Sequence, residues 1–124
     1  MKHKALDFMN LLETFFVDYL PHSAGLSENT IRSYKYAFRL LLEYLQEKRG
    51  LSPDQVTFSG LDYETVNEFL LWLEETRGCA ASTRNQRLAA LSSFASYAQN
   101  RNFEAATIYM NAISKVTVKK LTQA

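Results

Sequence analysis

Two short stretches of this 124-residue chain gather side chains able to grip a polyanion. In the first, Arg32, Lys35 and Arg39 recur at i, i+3 and i+7, so a helix places them along one stripe, and Ser27, Asn29, Thr30 and Ser33 supply hydroxyl and amide groups around its start. In the second, Ser82, Thr83, Arg84, Asn85, Gln86 and Arg87 run consecutively without a carboxylate. Cationic side chains hold phosphate oxygens. Hydroxyl and amide groups, together with the unpaired N–H groups of a helix start, bond phosphates and base edges. Either cluster alone is better accounted for as a capped, solvated helix start. The same pattern at two helix starts, with Glu28 the only acid nearby, points to nucleic acid.

Residues for bond-making chemistry are scarce. The four glycines are isolated, so no phosphate-cradling loop exists, and neither Gly-x-Ser-x-Gly nor His-Glu-x-x-His occurs. His3 and His22 have no carboxylate beside them in sequence, and an isolated loop histidine is ordinarily solvated. Glu74 and Glu75 are adjacent, so on a helix they point about 100° apart and share no site. Cys79, the single cysteine, forms no internal disulfide, lacks a histidine partner for nucleophilic work and belongs to no metal-ligand spacing. No cofactor, metal or small-molecule substrate is expected.

Charge supports a binding role once it is read by position. The total, 14 Lys plus Arg against 13 Asp plus Glu, is +1. From Gly78 onward, however, six basic residues face only Glu104, a net of +5, whereas residues 61–77 carry a net of −4. The near-neutral sum conceals a basic block and an acidic one. The longest strictly apolar run, residues 69–73, falls far short of the roughly 18 residues of a membrane span, and no apolar leader begins the chain. A cytoplasmic protein is expected.

The elements that must hold these residues read as helices throughout, with no sustained alternation of a half-buried strand. Apolar residues at three- and four-residue steps predict a first helix over residues 5–19, stopped by Pro21. A second, capped by Ser27, should run to Arg49 and close at Gly50. Residues 51–60 form a connector containing Ser52-Pro53-Asp54. A third helix, capped by Asp62, extends to about Arg77 and ends at Gly78. Ser82 caps a fourth through about Gln99, with Asn100 at its end. The fifth, residues 104–114, is short and weakened by the β-branched Thr107 and Ile108, and residues 116–124 read as a frayed end. Phe15, Phe16, Tyr34, Phe38, Phe69 and Phe94 fall on inward stripes and suit a core better than base stacking. The expected fold is all-α, a compact bundle of four main helices plus a short C-terminal one.

Ser27-Glu28-Asn29-Thr30-Ile31-Arg32-Ser33-Tyr34, with Leu45-Gln46-Glu47-Lys48-Arg49-Gly50 closing the same helix, resembles the start of the core-binding domain of tyrosine recombinases, the phage-integrase family. The stretch from Ser82 through Thr83, Arg84, Asn85, Gln86 and Arg87 to Phe94, leading into Tyr97 and Ala98, resembles the same family at its fourth helix. The resemblance implies a SAM-like helical domain, residues 1–114, forming half of a C-shaped clamp on duplex DNA and facing the major groove. Carried over by position, Asn29, Thr30, Arg32, Ser33 and Lys35 on the second helix and Ser82, Thr83, Arg84, Asn85 and Arg87 on the fourth become DNA contacts. The acidic third helix then lies away from the DNA.

The family's catalytic Arg, Lys, His-x-x-Arg box, second His or Trp and nucleophilic Tyr have no counterpart in this chain, and its usual Asn-Pro appears as Asn111-Ala112. The expectation is therefore an excised DNA-binding module that does not itself cut DNA, with residues 115–124 as a linker toward a missing catalytic domain. Its parent would recombine DNA through a 3′-phosphotyrosyl intermediate, and self-association in a recombination synapse comes with the resemblance. The alternative is a helical protein–protein interaction module that does not bind DNA. A small all-α enzyme is the third reading, and no convergent polar site supports it.

Overall fold

The computed structural model describes residues 3–119, with side chains from residue 7 onward. Five helices make up this part of the chain, and no strand occurs among the described residues. Helix α1, His3–Thr14, continues as a π-wound stretch, Phe15–Ser23. Helix α2 spans Glu28–Arg49, and a single 3-10 turn, Pro53–Gln55, lies in the connector to α3, Tyr63–Glu75. Helices α4, Ala81–Arg101, and α5, Phe103–Lys115, complete the bundle.

Local chemistry sets most of these boundaries. The Ser27 hydroxyl accepts the Thr30 amide at 3.2 Å, and Asp62 accepts the Thr65 amide at 3.0 Å, each satisfying an orphan donor of a first turn. That bond also holds the Asp62 carboxyl below the usual carboxylate range. Gly50 adopts φ +65°, the left-handed conformation that closes α2, and its amide bonds the Gln46 carbonyl at 3.1 Å. Asn102 serves two helices at once. Its amide closes α4 on the Ala98 carbonyl at 2.8 Å, and its side chain caps α5 by accepting the Ala105 amide at 3.3 Å.

Five expectations are corrected. Pro21 does not stop the first helix, because the chain there is wound in wider turns, with the Ala24 amide on the Tyr19 carbonyl five residues back at 2.8 Å. Ser82 is not the cap of α4. Ala80 holds that position without a side-chain bond, and Asn102 rather than Asn100 ends the helix. The fifth helix is not weak: Ala106, Tyr109, Ala112 and Ile113 are buried, and the small alanines let it lie close against α4. Nor is the segment after α5 frayed over residues 116–119. Arg84 Nη1 donates to the Thr117 carbonyl at 2.9 Å, Asn85 exchanges two bonds with the Lys119 backbone at 2.9 and 3.1 Å, and the Lys119 ammonium meets Glu74 at 2.9 Å. Residues 120–124 of the expected linker lie outside the described residues.

An aromatic cluster holds the bundle together, with Phe94 of α4 at its centre. Fully buried, its ring meets Phe8 at 5.6 Å, Phe15 at 5.2 Å, Phe38 at 5.3 Å, Phe58 at 5.9 Å and Tyr109 at 6.0 Å, so one side chain touches α1, its π-wound extension, α2, the connector and α5. Tyr109 donates its hydroxyl to the Leu91 carbonyl at 2.7 Å, which satisfies the polar end of an otherwise apolar side chain. Phe69 is likewise buried, whereas Phe16 and Tyr34 are only half-buried at the edge. The Phe38–Phe94 contact sets α2 against α4.

Candidate nucleic-acid interface

The N-terminal half of α2 presents Arg32, Lys35 and Arg39 to solvent, one to two turns apart on the stripe that their spacing predicts. Arg32 Nη1 is steadied by Asn29 Oδ1 at 3.0 Å. From α4, Arg87 reaches across to this surface. Its guanidinium carbon lies over the Tyr36 ring, 4.9 Å from the centroid, and its Nη1 donates to the Ser33 hydroxyl at 3.5 Å. Asn29, Arg32, Ser33, Lys35, Tyr36, Arg39 and Arg87 thus line one cleft of about 640 Å³. Four of those seven residues are cationic and none is acidic, so no side chain lining the cleft neutralises the charge.

Carboxylates are disposed elsewhere. Glu68 of α3 pairs with Arg49 at 2.9 Å, Glu43 with Arg77 at 3.2 Å and Glu74 with Lys119 at 2.9 Å, while Glu47 accepts the Trp72 indole N–H at 3.2 Å. The hydrogen bond that Arg49 donates to Glu68 raises the Arg49 pKa further, against a lowering by burial. A second cleft of about 410 Å³, between the end of α2 and α3, is lined by Tyr44, Lys48, Arg49, Glu68, Leu71, Trp72, Glu75 and Thr76. Its mixed charges are already paired in part, which makes it a poor seat for phosphate. Glu68 thus packs behind the C-terminal half of α2, whereas Glu43 and Glu47 share a further cleft of about 580 Å³ with Arg39, and Glu74 meets Lys119 beside the α4 start.

Of the twelve residues singled out in the sequence, six converge in the basic cleft: Asn29, Arg32, Ser33, Lys35, Arg39 and Arg87. Ser27 and Thr30 sit at the α2 start, where Ser27 spends its hydroxyl on capping. Ser82 is exposed and Thr83 half-buried on the first turn of α4, outside the cleft. Arg84 and Asn85 have a different environment from the one expected. Arg84 is only 5% exposed and Asn85 half-buried, the first bonded to residue 117 and the second to residue 119. Arg84 follows from its place on the α4 stripe that includes Leu88 and Leu91, one turn and two turns on, which turns its stem inward. Tyr36 is the lining residue that charge-based reasoning does not single out. Its spacing, four after Arg32 and three before Arg39, is the signal that puts it there.

Among the described residues no group of His, Cys, Asp and Glu side chains could hold a metal ion, and no helix is long and apolar enough to cross a membrane. His22 is exposed, and the side chain of His3 lies outside the described residues.

Residues 14–102, which include both helices of the cleft, match the phage integrase N-terminal SAM-like domain. The chain belongs to that family. It is 36% identical over 97 residues to a Sinorhizobium fredii protein named integrase/recombinase y4rC, covering 78% of this chain and 29% of that protein. A second protein of the same organism, y4rD, named likewise, is 34% identical over 84 residues, covering 68% of this chain and 30% of the relative. Tyrosine recombinase XerC of Caldanaerobacter subterraneus is 26% identical over 115 residues, covering 78% and 33%. The chain thus spans about a third of the length of these relatives. No solved structure matches it. The integrase N-terminal domain of a tyrosine recombinase is all-α, as the bundle is.

Proposed function

We propose that this integrase-family domain binds duplex DNA, laying the starts of α2 and α4 against the phosphate backbone and major groove as one arm of a recombinase clamp. The observation that carries the reading is the cleft joining the two helices, lined by Arg32, Lys35, Arg39 and Arg87 without a carboxylate. Asn29 and Ser33 add neutral donors and acceptors beside these cations, and Ser27, Thr30, Ser82 and Thr83 flank them on the two first turns. Phosphate contacts fix register, and amide and guanidinium edges read bases. Arg84 and Asn85 contribute indirectly, by holding the chain after α5 against the α4 start.

In this reading the domain carries no cleavage chemistry of its own, and the strand-exchange steps belong to a catalytic domain reached through the residues after α5. The site of action is the cytoplasm, where the DNA lies, and protomers meet one another on the recombining duplexes. Titration of a labelled short duplex with the protein at low salt tests the proposal: saturable binding that weakens as salt rises is expected. Absence of binding at low salt, or binding indifferent to Arg87→Glu with Arg32→Glu, refutes it and favours a protein-interaction module.

A further inference from the structure

Arg87 stands in an unusual electrostatic position. It shares its cleft with three other cations, and its sole protein acceptor among the described residues is the Ser33 hydroxyl, at the long distance of 3.5 Å. Its Nε is enclosed without a partner. Mutual repulsion and the lack of a carboxylate would swing such a side chain outward into water. What lies beneath the guanidinium instead is the face of Tyr36, 4.9 Å away on the neighbouring helix. The negative face of an aromatic ring attracts a cation, and a guanidinium lying over it keeps its N–H donors at its edge. A salt bridge in the same place would consume those donors. Tyr36 is also 42% exposed, so its burial in the core does not account for its presence.

We propose that Tyr36 is the positioning residue for Arg87: its ring holds the guanidinium over the cleft, with the terminal Nη groups rather than the enclosed Nε available to meet the DNA. This rests on the DNA-binding reading above and adds that Tyr36 acts through Arg87 rather than on the DNA itself.

The test uses the whole chain, a labelled short duplex and three variants, Tyr36→Phe, Tyr36→Leu and Arg87→Gln, with the double variant Tyr36→Leu/Arg87→Gln. A cation over an exposed ring supports a loss of about two- to fivefold in affinity for Tyr36→Leu. The salt dependence should be unchanged, because no charge has been removed. Tyr36→Phe keeps the ring and should bind as the wild type does. Arg87→Gln should reduce the salt slope by about one unit, and adding Tyr36→Leu to it should have no further effect. The side-chain proton resonances of Arg87, shifted by the ring current, should return toward ordinary arginine values in Tyr36→Leu and not in Tyr36→Phe, a signature that loss of general stability does not produce. Equal binding by wild type and Tyr36→Leu overturns the proposal. So does a Tyr36→Leu loss that persists undiminished beside Arg87→Gln, or a Tyr36→Phe loss of the same size, which assigns the effect to the hydroxyl. Failure of the wild type to bind duplex at low salt removes the DNA-binding reading as well, so the two failures are distinguishable.

Discussion

Replacing Arg32 and Arg39 together with glutamine removes half the positive charge of the cleft while leaving its walls in place. Both side chains are exposed, and Arg32 bonds only Asn29, so the fold should be altered by no more than about 0.5 kcal/mol per substitution. Counting Arg32, Lys35, Arg39 and Arg87 as one neutralised phosphate each, the wild type should show a slope of log K against log salt of about −3.6, and the double variant about −1.8. Between about 50 and 200 mM salt the wild type should then lose about 150-fold in affinity and the variant about 12-fold. Arg84 is left out of this count because it is buried against residue 117; including it would have steepened the wild-type slope to about −4.5. Fluorescence anisotropy of a labelled duplex across a salt series reads the slopes directly. As a comparison, Lys48→Gln, in the mixed-charge cleft behind α2, should not change the slope. A double variant with the wild-type slope, or a Lys48→Gln variant with an equally reduced one, would refute the assignment of the cleft.

Three further outcomes concern the scaffold. Phe94→Ala should cost about 3–5 kcal/mol in chemical denaturation, because the void opens where α1, α2, the connector and α5 meet and no single helix can close it. Asp62→Ala should cost about 1 kcal/mol through loss of the α3 cap, and Asp62→Asn much less. Since the folded-state pKa of Asp62 is lowered by the Thr65 amide, its ionisation contributes stability above the unfolded value near pH 4. That contribution is lost as pH falls through the folded value, and Asp62→Asn should flatten the acid limb of melting temperature against pH. Burial pushes the Tyr109 hydroxyl well above its ordinary range. The fold therefore favours the neutral phenol, and stability should fall as pH rises past about 10, with Tyr109→Phe moderating the fall.

Much of this molecule is legible in its sequence, because helices announce themselves by period and punctuation. Ser27, Gly50, Asp62 and Gly78 mark boundaries by chemistry that acts within a few residues, and each does so in the structure. Errors arise where distant parts of the chain decide. Ser82 has the right side chain to cap a helix, yet Ala80 takes the position, since packing of Leu88, Leu91 and Phe94 sets where α4 begins. Thr107 and Ile108 lower the intrinsic propensity of α5, yet the buried face at Ala106, Tyr109 and Ala112 outweighs it. The basic stripe of α2 could be read from spacing alone. The inward turn of Arg84 could be read from its place one turn before Leu88, but that Arg87 reaches across to this stripe could not be, because the packing of α4 on α2 decides it. The partner of Arg84 lies 33 residues further on, where no local signal pairs them.

Phe94 also bears on how a clamp built on this domain would tell one duplex from another. Close-packed protein interiors are hard to compress, and Arg87 sits two turns before a ring wedged among six other aromatic side chains. Asn102, ending α4 and starting α5 with one residue, leaves no slack at the other end. The spacing between the basic starts of α2 and α4 is in effect a rigid gauge. On the DNA-binding reading proposed above, a duplex whose phosphates did not match it would have to bend or change groove width, at a cost of order 1–6 kcal/mol for a 40–90° bend that depends on the steps being deformed. Sequence preference would then arise at base pairs that no side chain touches.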